Sequence, residues 1–122
     1  MIDDTTWNIE LTCPPNCIYA DEIYKLSIKF SDQYPIDSPE IKFMLPAPIH
    51  THVYTNGHIC LNILYADWTP ALTIKSVCIS LISMLSSATT KESPPDNTMY
   101  VARVPHERNP KNTRFAYDDD TV

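Results

Sequence analysis

The sequence predicts an α+β fold, a four-stranded antiparallel meander sheet backed by one central helix. Three observations point there. In the first half apolar residues alternate with polar ones, as one buried face of a strand requires. From Thr73 onward they recur every three to four positions, the period of a helix face. Short proline-rich links join the alternating runs, which suits an antiparallel meander.

The first strand is carried by Trp7, Ile9 and Leu11. Tyr24, Leu26, Ile28 and Phe30 give a clearer second, with Lys25, Ser27 and Lys29 on its other face. Ile41, Phe43 and Leu45 form a third, interrupted by Met44. The links are Cys13-Pro14-Pro15-Asn16-Cys17 and Tyr34-Pro35-Ile36-Asp37-Ser38-Pro39. In the helix, Ile74, Val77, Cys78, Leu81, Ile82 and Leu85 share one side, Lys75, Ser76, Ser80 and Ser83 the other, and Thr73 is placed to cap. The helix runs from about Thr73 to Ser87 and closes the core against the sheet. Ser93-Pro94-Pro95-Asp96-Asn97 reads as a turn into a short helix, and a polar tail from about Val104 ends in Asp118-Asp119-Asp120.

Composition narrows the function. The 122 residues make one domain, residues 1–122, with 43% hydrophobic content to build a core. Eleven prolines against one glycine argue against a glycine-lined phosphate cradle. A net charge of -6 disfavours nucleic acid as a partner, because non-specific binding needs Lys and Arg on phosphates. No apolar run approaches the roughly 18 residues of a membrane span, so no membrane partner is expected. The start, Met1-Ile2-Asp3-Asp4, lacks the basic-then-apolar order of a secretory signal. With four cysteines, Cys13, Cys17, Cys60 and Cys78, the expectation is reduced thiols in a cytoplasmic or nuclear setting.

The stretch from Pro46 to Leu72 has little periodicity and most of the chemistry. Loops longer than about 15 residues are usually functional or disordered, and the Tyr, Ile, Leu and Trp content here disfavours disorder. His50, His52, His58 and Cys60 fall close together. Local chemistry leaves three readings of Cys60 open: a buried small hydrophobe, a zinc ligand, or a nucleophile with histidine nearby. The zinc spacing matches no familiar finger.

A wider pattern separates them. Tyr34-Pro35, Pro39, Ile41 and Phe43 come first, then His50, Val53, Asn56-Gly57, Ile59-Cys60-Leu61 and Ile63-Leu64, then Trp68-Thr69-Pro70-Ala71-Leu72-Thr73-Ile74. In that order and spacing the chain resembles the catalytic core of the ubiquitin-conjugating enzyme family, from about Tyr19 to Asn97. His50-Thr51-His52 stands where the family usually carries His-Pro-Asn. A histidine in the third place, followed by Asn56-Gly57-His58-Ile59-Cys60, resembles the W type of that family. So does the tail: Pro94-Pro95-Asp96-Asn97, Tyr100-Val101, Asn109-Pro110-Lys111, then Tyr117, Asp119-Asp120 and Thr121. The W type is associated with modifying protein α-amino groups.

The resemblance implies roles. Cys60 would take ubiquitin's C-terminal glycine from an activating enzyme as a thioester and yield it to an amine or a ligase cysteine. That requires a sulfur reachable by a glycine tail. His52 would donate to the oxyanion or support its loop, and His50, Asn56 and Gly57 would shape the surroundings. His58 is expected to be exposed. Lysine-directed members commonly place acidic groups near the site; the matching positions here are Asn62 and, in the turn after the long helix, Asp96 or Asn97. The dock for RING or U-box ligases would comprise Ile36 with Thr69, Pro70 and Ala71, while Trp68 and Leu72 are assigned to the core. Implied partners are ubiquitin, the activating enzyme, a ligase and protein substrates; no metal and no cofactor is called for.

The chain departs from the family in three places. Thr51 replaces a proline, the amphipathic helix that normally opens the core is not apparent, and neither are the usual closing helices after Tyr100. The reading from another class is a non-catalytic scaffold of the same fold that binds ubiquitin or a ligase.

Overall fold

The computed structural model describes residues 5–112. Three strands, β1 (Thr6–Thr12), β2 (Ile23–Lys29) and β3 (Glu40–Phe43), form an antiparallel sheet in chain order. Two helices follow, α1 (Ile74–Ser86) and α2 (Asn97–Arg103), with single 3-10 turns at Asn62–Leu64 and Pro110–Asn112. The α+β meander with its backing helix is therefore as the sequence predicts. The strand count is not: the sheet has three strands where four are expected. After β3 the chain returns alongside it, and Phe43 N–H donates to Gly57 O at 2.9 Å. Gly57 has φ +94, a left-handed conformation that breaks an extended ladder. The fourth place thus holds a loop with isolated bridges, His50 with Val53 and Val53 with Ile59.

Register sets the buried face. Leu26 faces both Ile9 and Phe43, and Ile28 faces both Trp7 and Ile41. Leu26, Ile28, Ile41 and Phe43 are buried with Val77 and Leu81 of α1 and with Val53, Ile59 and Leu64 of the long loop. That loop is core material, which explains its apolar content. Two expected strand residues lie outside the core. Trp7 is half-exposed at the margin of edge strand β1, packed edge-on against Phe30 with centroids 5.1 Å apart. Leu45 is exposed because β3 stops at Phe43 and the chain turns off at Pro46, which has no N–H for a ladder.

Helix α1 begins where expected. The Thr73 side chain accepts from Ser76 N–H at 3.1 Å while Ser76 Oγ accepts from Thr73 N–H at 2.9 Å, a reciprocal cap. Val77, Leu81 and Leu85 are its buried stripe. The acidic end at Asp118–Asp120, with Tyr117 and Thr121, lies outside the described residues, as do the first four residues. Among the described residues no helix is long and apolar enough to cross a membrane.

Candidate active site

Cys60 lies within the loop that runs from Pro46 to Leu72, and backbone bonds fix its position. Cys60 N–H donates to His52 O at 2.8 Å, and His52 Nδ1 lies 3.1 Å from Cys60 O. A carbonyl only accepts, so His52 Nδ1 carries the hydrogen. His52 N–H in turn donates to His50 Nδ1 at 2.9 Å, while His50 Nε2 donates to Met84 O at 3.1 Å. His50 is therefore a bracket between the loop and the end of α1. Burial, ahead of its other contacts, holds its pKa below the usual imidazole value.

The site residues Asn56 and Gly57 shape the turn before Cys60. Asn56 Oδ1 accepts from His58 N–H at 3.1 Å, and its Nδ2 donates to Val104 O at 2.9 Å. A Cβ on Gly57 would meet Phe43 O at 2.3 Å, so the close approach of loop to strand needs glycine.

His58 corrects an expectation. Rather than exposed, it is fully buried. Its Nε2 donates to His106 O at 3.1 Å and its Nδ1 accepts from Tyr100 O–H at 2.7 Å. Both nitrogens are spent on residues far along the chain, and burial lowers its pKa. The histidines thus serve the loop and its cover, and among the described residues no group of three His, Cys, Asp or Glu is arranged to hold a metal ion.

Cys60 is itself buried, at 5% relative exposure, in a cluster with Tyr54, Tyr100 and Val104. Tyr54 and Tyr100 stack with centroids 3.9 Å apart. The Tyr54 hydroxyl donates to the Asp96 carboxylate, at 2.9 and 3.1 Å from its two oxygens. Burial and that carboxylate drive the Tyr54 pKa strongly upward. These aromatic neighbours are the residues sequence reasoning missed. The only signal was Tyr100, quoted in the tail of the resemblance; Tyr54 falls at a position the resemblance leaves unmatched.

The remaining site residues separate into two places. Asn97 is spent on the loop: its Oδ1 accepts from Thr55 N–H at 2.9 Å and its Nδ2 donates to Thr55 Oγ1 at 3.2 Å. Asn62 opens the 3-10 turn after Cys60, and its carbonyl accepts from Tyr65 and Asp67 N–H. Ile36, at 75% exposure, and the exposed Thr69, Pro70 and Ala71 lie elsewhere on two loops. Trp68 joins those loops: its indole N–H donates to Pro35 O at 2.9 Å, and its ring lies 6.1 Å from that of Tyr34. Trp68 and Leu72 are half-buried; Trp68 packs at the margin of the core, and neither belongs to its buried centre. A groove of about 690 Å³ runs between the Cys60 loop and the end of α1, lined by His50, His52, Leu61, Ser83, Met84 and Thr89.

Comparison with known proteins identifies the family and the fold. Residues 2–117 match the family described as ubiquitin-conjugating enzyme. The chain is 51% identical over 116 residues to "Probable ubiquitin-conjugating enzyme E2 W" of Dictyostelium discoideum, covering 95% of this chain and 77% of that protein. It is 49% identical over 116 residues to "Ubiquitin-conjugating enzyme 15" of Arabidopsis thaliana, covering 95% and 72%. The crystal structure of ubiquitin conjugating enzyme E2 UbcA1 from Agrocybe aegerita matches with a TM-score of 0.84 at 43% identity, covering 89% of this chain and 79% of that one.

Proposed function

The chain belongs to the ubiquitin-conjugating enzyme family, and on that footing we propose that it carries ubiquitin as a thioester on Cys60 and passes it to protein amines. The observation that carries the reading is Cys60 held by His52 through backbone bonds at both its N–H and its C=O, inside the segment that matches the family. Cys60 thiolate attacks the glycine carbonyl of ubiquitin bound to the activating enzyme, whose own thiolate leaves. A neutral amine then attacks the new thioester, Cys60 thiolate departs, and the amine gives up a proton. Cysteine suits both steps because a thiolate attacks well and leaves well. The reachable sulfur that the sequence calls for is instead covered by Tyr54, Tyr100 and Val104, and the groove beside His52 and Leu61 is not lined by Cys60. In this reading the glycine tail reaches Cys60 when that cover opens.

In this scheme His52 acts first as a loop support, because its Nδ1–H is committed to the Cys60 carbonyl. The acceptor is an α-amino group in preference to lysine. A lysine with pKa near 10.4 is neutral far less often than an α-amine near 7.8, a difference of roughly 3.5 kcal/mol. Asn62, and Asp96 or Asn97, match the positions where lysine-directed enzymes place acids; Asn62 and Asn97 are amides, and the Asp96 carboxylate is occupied by the Tyr54 hydroxyl. Ile36 and Thr69-Pro70-Ala71, tied together through Trp68, form a small apolar dock for a RING or U-box ligase. A small contact suits weak, exchangeable binding.

The burial of Cys60 favours a second reading, a scaffold that binds ubiquitin or a ligase without turnover. A charging assay with activating enzyme, ATP and ubiquitin separates the two. Turnover gives an adduct that reducing agent removes and that Cys60→Ala abolishes; absence of any such adduct overturns the thioester reading. Single-turnover discharge to peptides with one type of free amine then tests the preference, and faster transfer to lysine would overturn it.

A further inference from the structure

The chain beyond α2 ties two places together. Val104 is buried against Cys60, and its carbonyl accepts from Asn56 Nδ2 at 2.9 Å. Two residues on, His106 O accepts from Lys42 Nζ at 2.8 Å and from His58 Nε2 at 3.1 Å. His106 Nδ1 donates to Asn56 O at 2.6 Å. Pro110 is buried at the start of the last 3-10 turn. Beside it, Lys111 Nζ donates to Asp37 Oδ1 at 2.5 Å and to Ser38 O at 2.7 Å, on the loop that carries the exposed Ile36. With Ile36, Ser38, Tyr65 and Trp68, Lys111 lines a groove of about 320 Å³. One short segment thus begins over the thiol and ends in the wall of the proposed dock.

We propose that residues 104–111 are a strap that opens as one unit and that Lys111 is its latch: a partner that engages the Asp37 carboxylate frees Lys111 and uncovers Cys60. The inference rests on Cys60 being the reactive thiol and on Ile36 marking the ligase dock. The group that engages Asp37 is cationic, and arginine suits it best. A guanidinium meets a carboxylate through two bonds, whereas the Lys111 ammonium divides its bonds between Asp37 and the Ser38 carbonyl. Lys111 touches neither sulfur nor substrate, so it is a positioning residue.

Magnitudes decide how far such a latch can act. The Asp37 side chain is 43% exposed and that of Lys111 20%, so their ion pair adds little to global stability. Its leverage is local. Segments held by a few polar ties open well before the whole protein unfolds, and each tie broken in the open state sets how often opening occurs. Loss of one charge-assisted hydrogen bond therefore raises the open fraction severalfold.

The test alkylates the whole chain with iodoacetamide under native conditions, with Cys78 in α1 as the control for general loosening. Lys111→Met should raise the Cys60 rate about fivefold and leave that of Cys78 unchanged. Asp37→Asn removes the carboxylate from Lys111 as an engaged partner would. It should have the same effect, and the double variant should match either single one. Lys111→Arg should keep the Cys60 rate of the unaltered protein. Three results would each overturn the proposal: a Cys60 rate indifferent to Lys111→Met, increases that multiply in the double variant, or a rise shared by Cys78. No ubiquitin enters the measurement, so its failure leaves the thioester reading to the charging assay.

Discussion

His52 and Cys60 bind each other's backbone in both directions: Cys60 N–H donates to His52 O at 2.8 Å, and His52 Nδ1–H donates to Cys60 O at 3.1 Å. The main chain of the proposed nucleophile is therefore held by His52, the residue proposed to stand in place of the family's asparagine. If His52 serves as a brace, His52→Ala should slow both charging and discharge by about tenfold, the worth of one buried hydrogen bond. Loss of an oxyanion donor would instead cost about 100- to 1000-fold in discharge alone. Single-turnover rates of the two half-reactions distinguish these outcomes.

The cover over Cys60 predicts its reactivity. Val104 is buried against Cys60, and Val104→Ala removes part of that wall at a cost of about 2 kcal/mol. Native-state alkylation of Cys60 by iodoacetamide should rise severalfold, while that of Cys78, in α1, serves as the control for global opening. An unchanged Cys60 rate would show that the thiol is reached from another side.

His50 and His58 both have pKa values below the ordinary 6.5, chiefly through burial. Above that value they are neutral in both states and have no effect. As pH falls through about 6.5 the unfolded chain takes up protons that the folded one refuses, so stability falls until the folded values are reached. The urea midpoint should be lower at about pH 5.5 than at about pH 7.5. Glu22 and Asp37, held low first by hydrogen bonds from Lys91 and Lys111, lose their contribution in a separate window beneath the ordinary carboxylate range. Equal midpoints at the two pH values would contradict the histidine assignment.

Trp68 links the two loops of the proposed ligase dock through its N–H to Pro35 O. Trp68→Phe keeps most of the ring and deletes that donor. Binding of a cognate ligase should weaken by about 1 kcal/mol, roughly fivefold. Titration against the isolated ligase domain measures it; unchanged affinity would mean that the loops hold their positions without the indole.

What could be read in advance follows from range. Strands β1 to β3 and helix α1 announce themselves through neighbours two, three or four positions apart, and even the Thr73 cap is a local signal. Cys60 stood out because several short motifs fall in a fixed order around it. The burial of His58 did not, because its partners Tyr100 and His106 come from more than forty residues away. The Tyr54–Asp96 bond spans a similar distance. The missing fourth strand is the same lesson in another form. Gly57 adopts a left-handed φ and lets the loop meet β3 through one carbonyl, a contact with Phe43 that no local pattern announces.

Gly57 is the chain's one glycine, and every amino-acid change that a single base substitution can make there adds a side chain into Phe43 O. In a saturation-mutagenesis map that position should therefore look as intolerant as the proposed nucleophile three residues later, although no bond is proposed to form there. Sorting variants by abundance as well as by transfer would tell the two apart: changes at Gly57 deplete the protein, whereas Cys60→Ser leaves the protein present but silent.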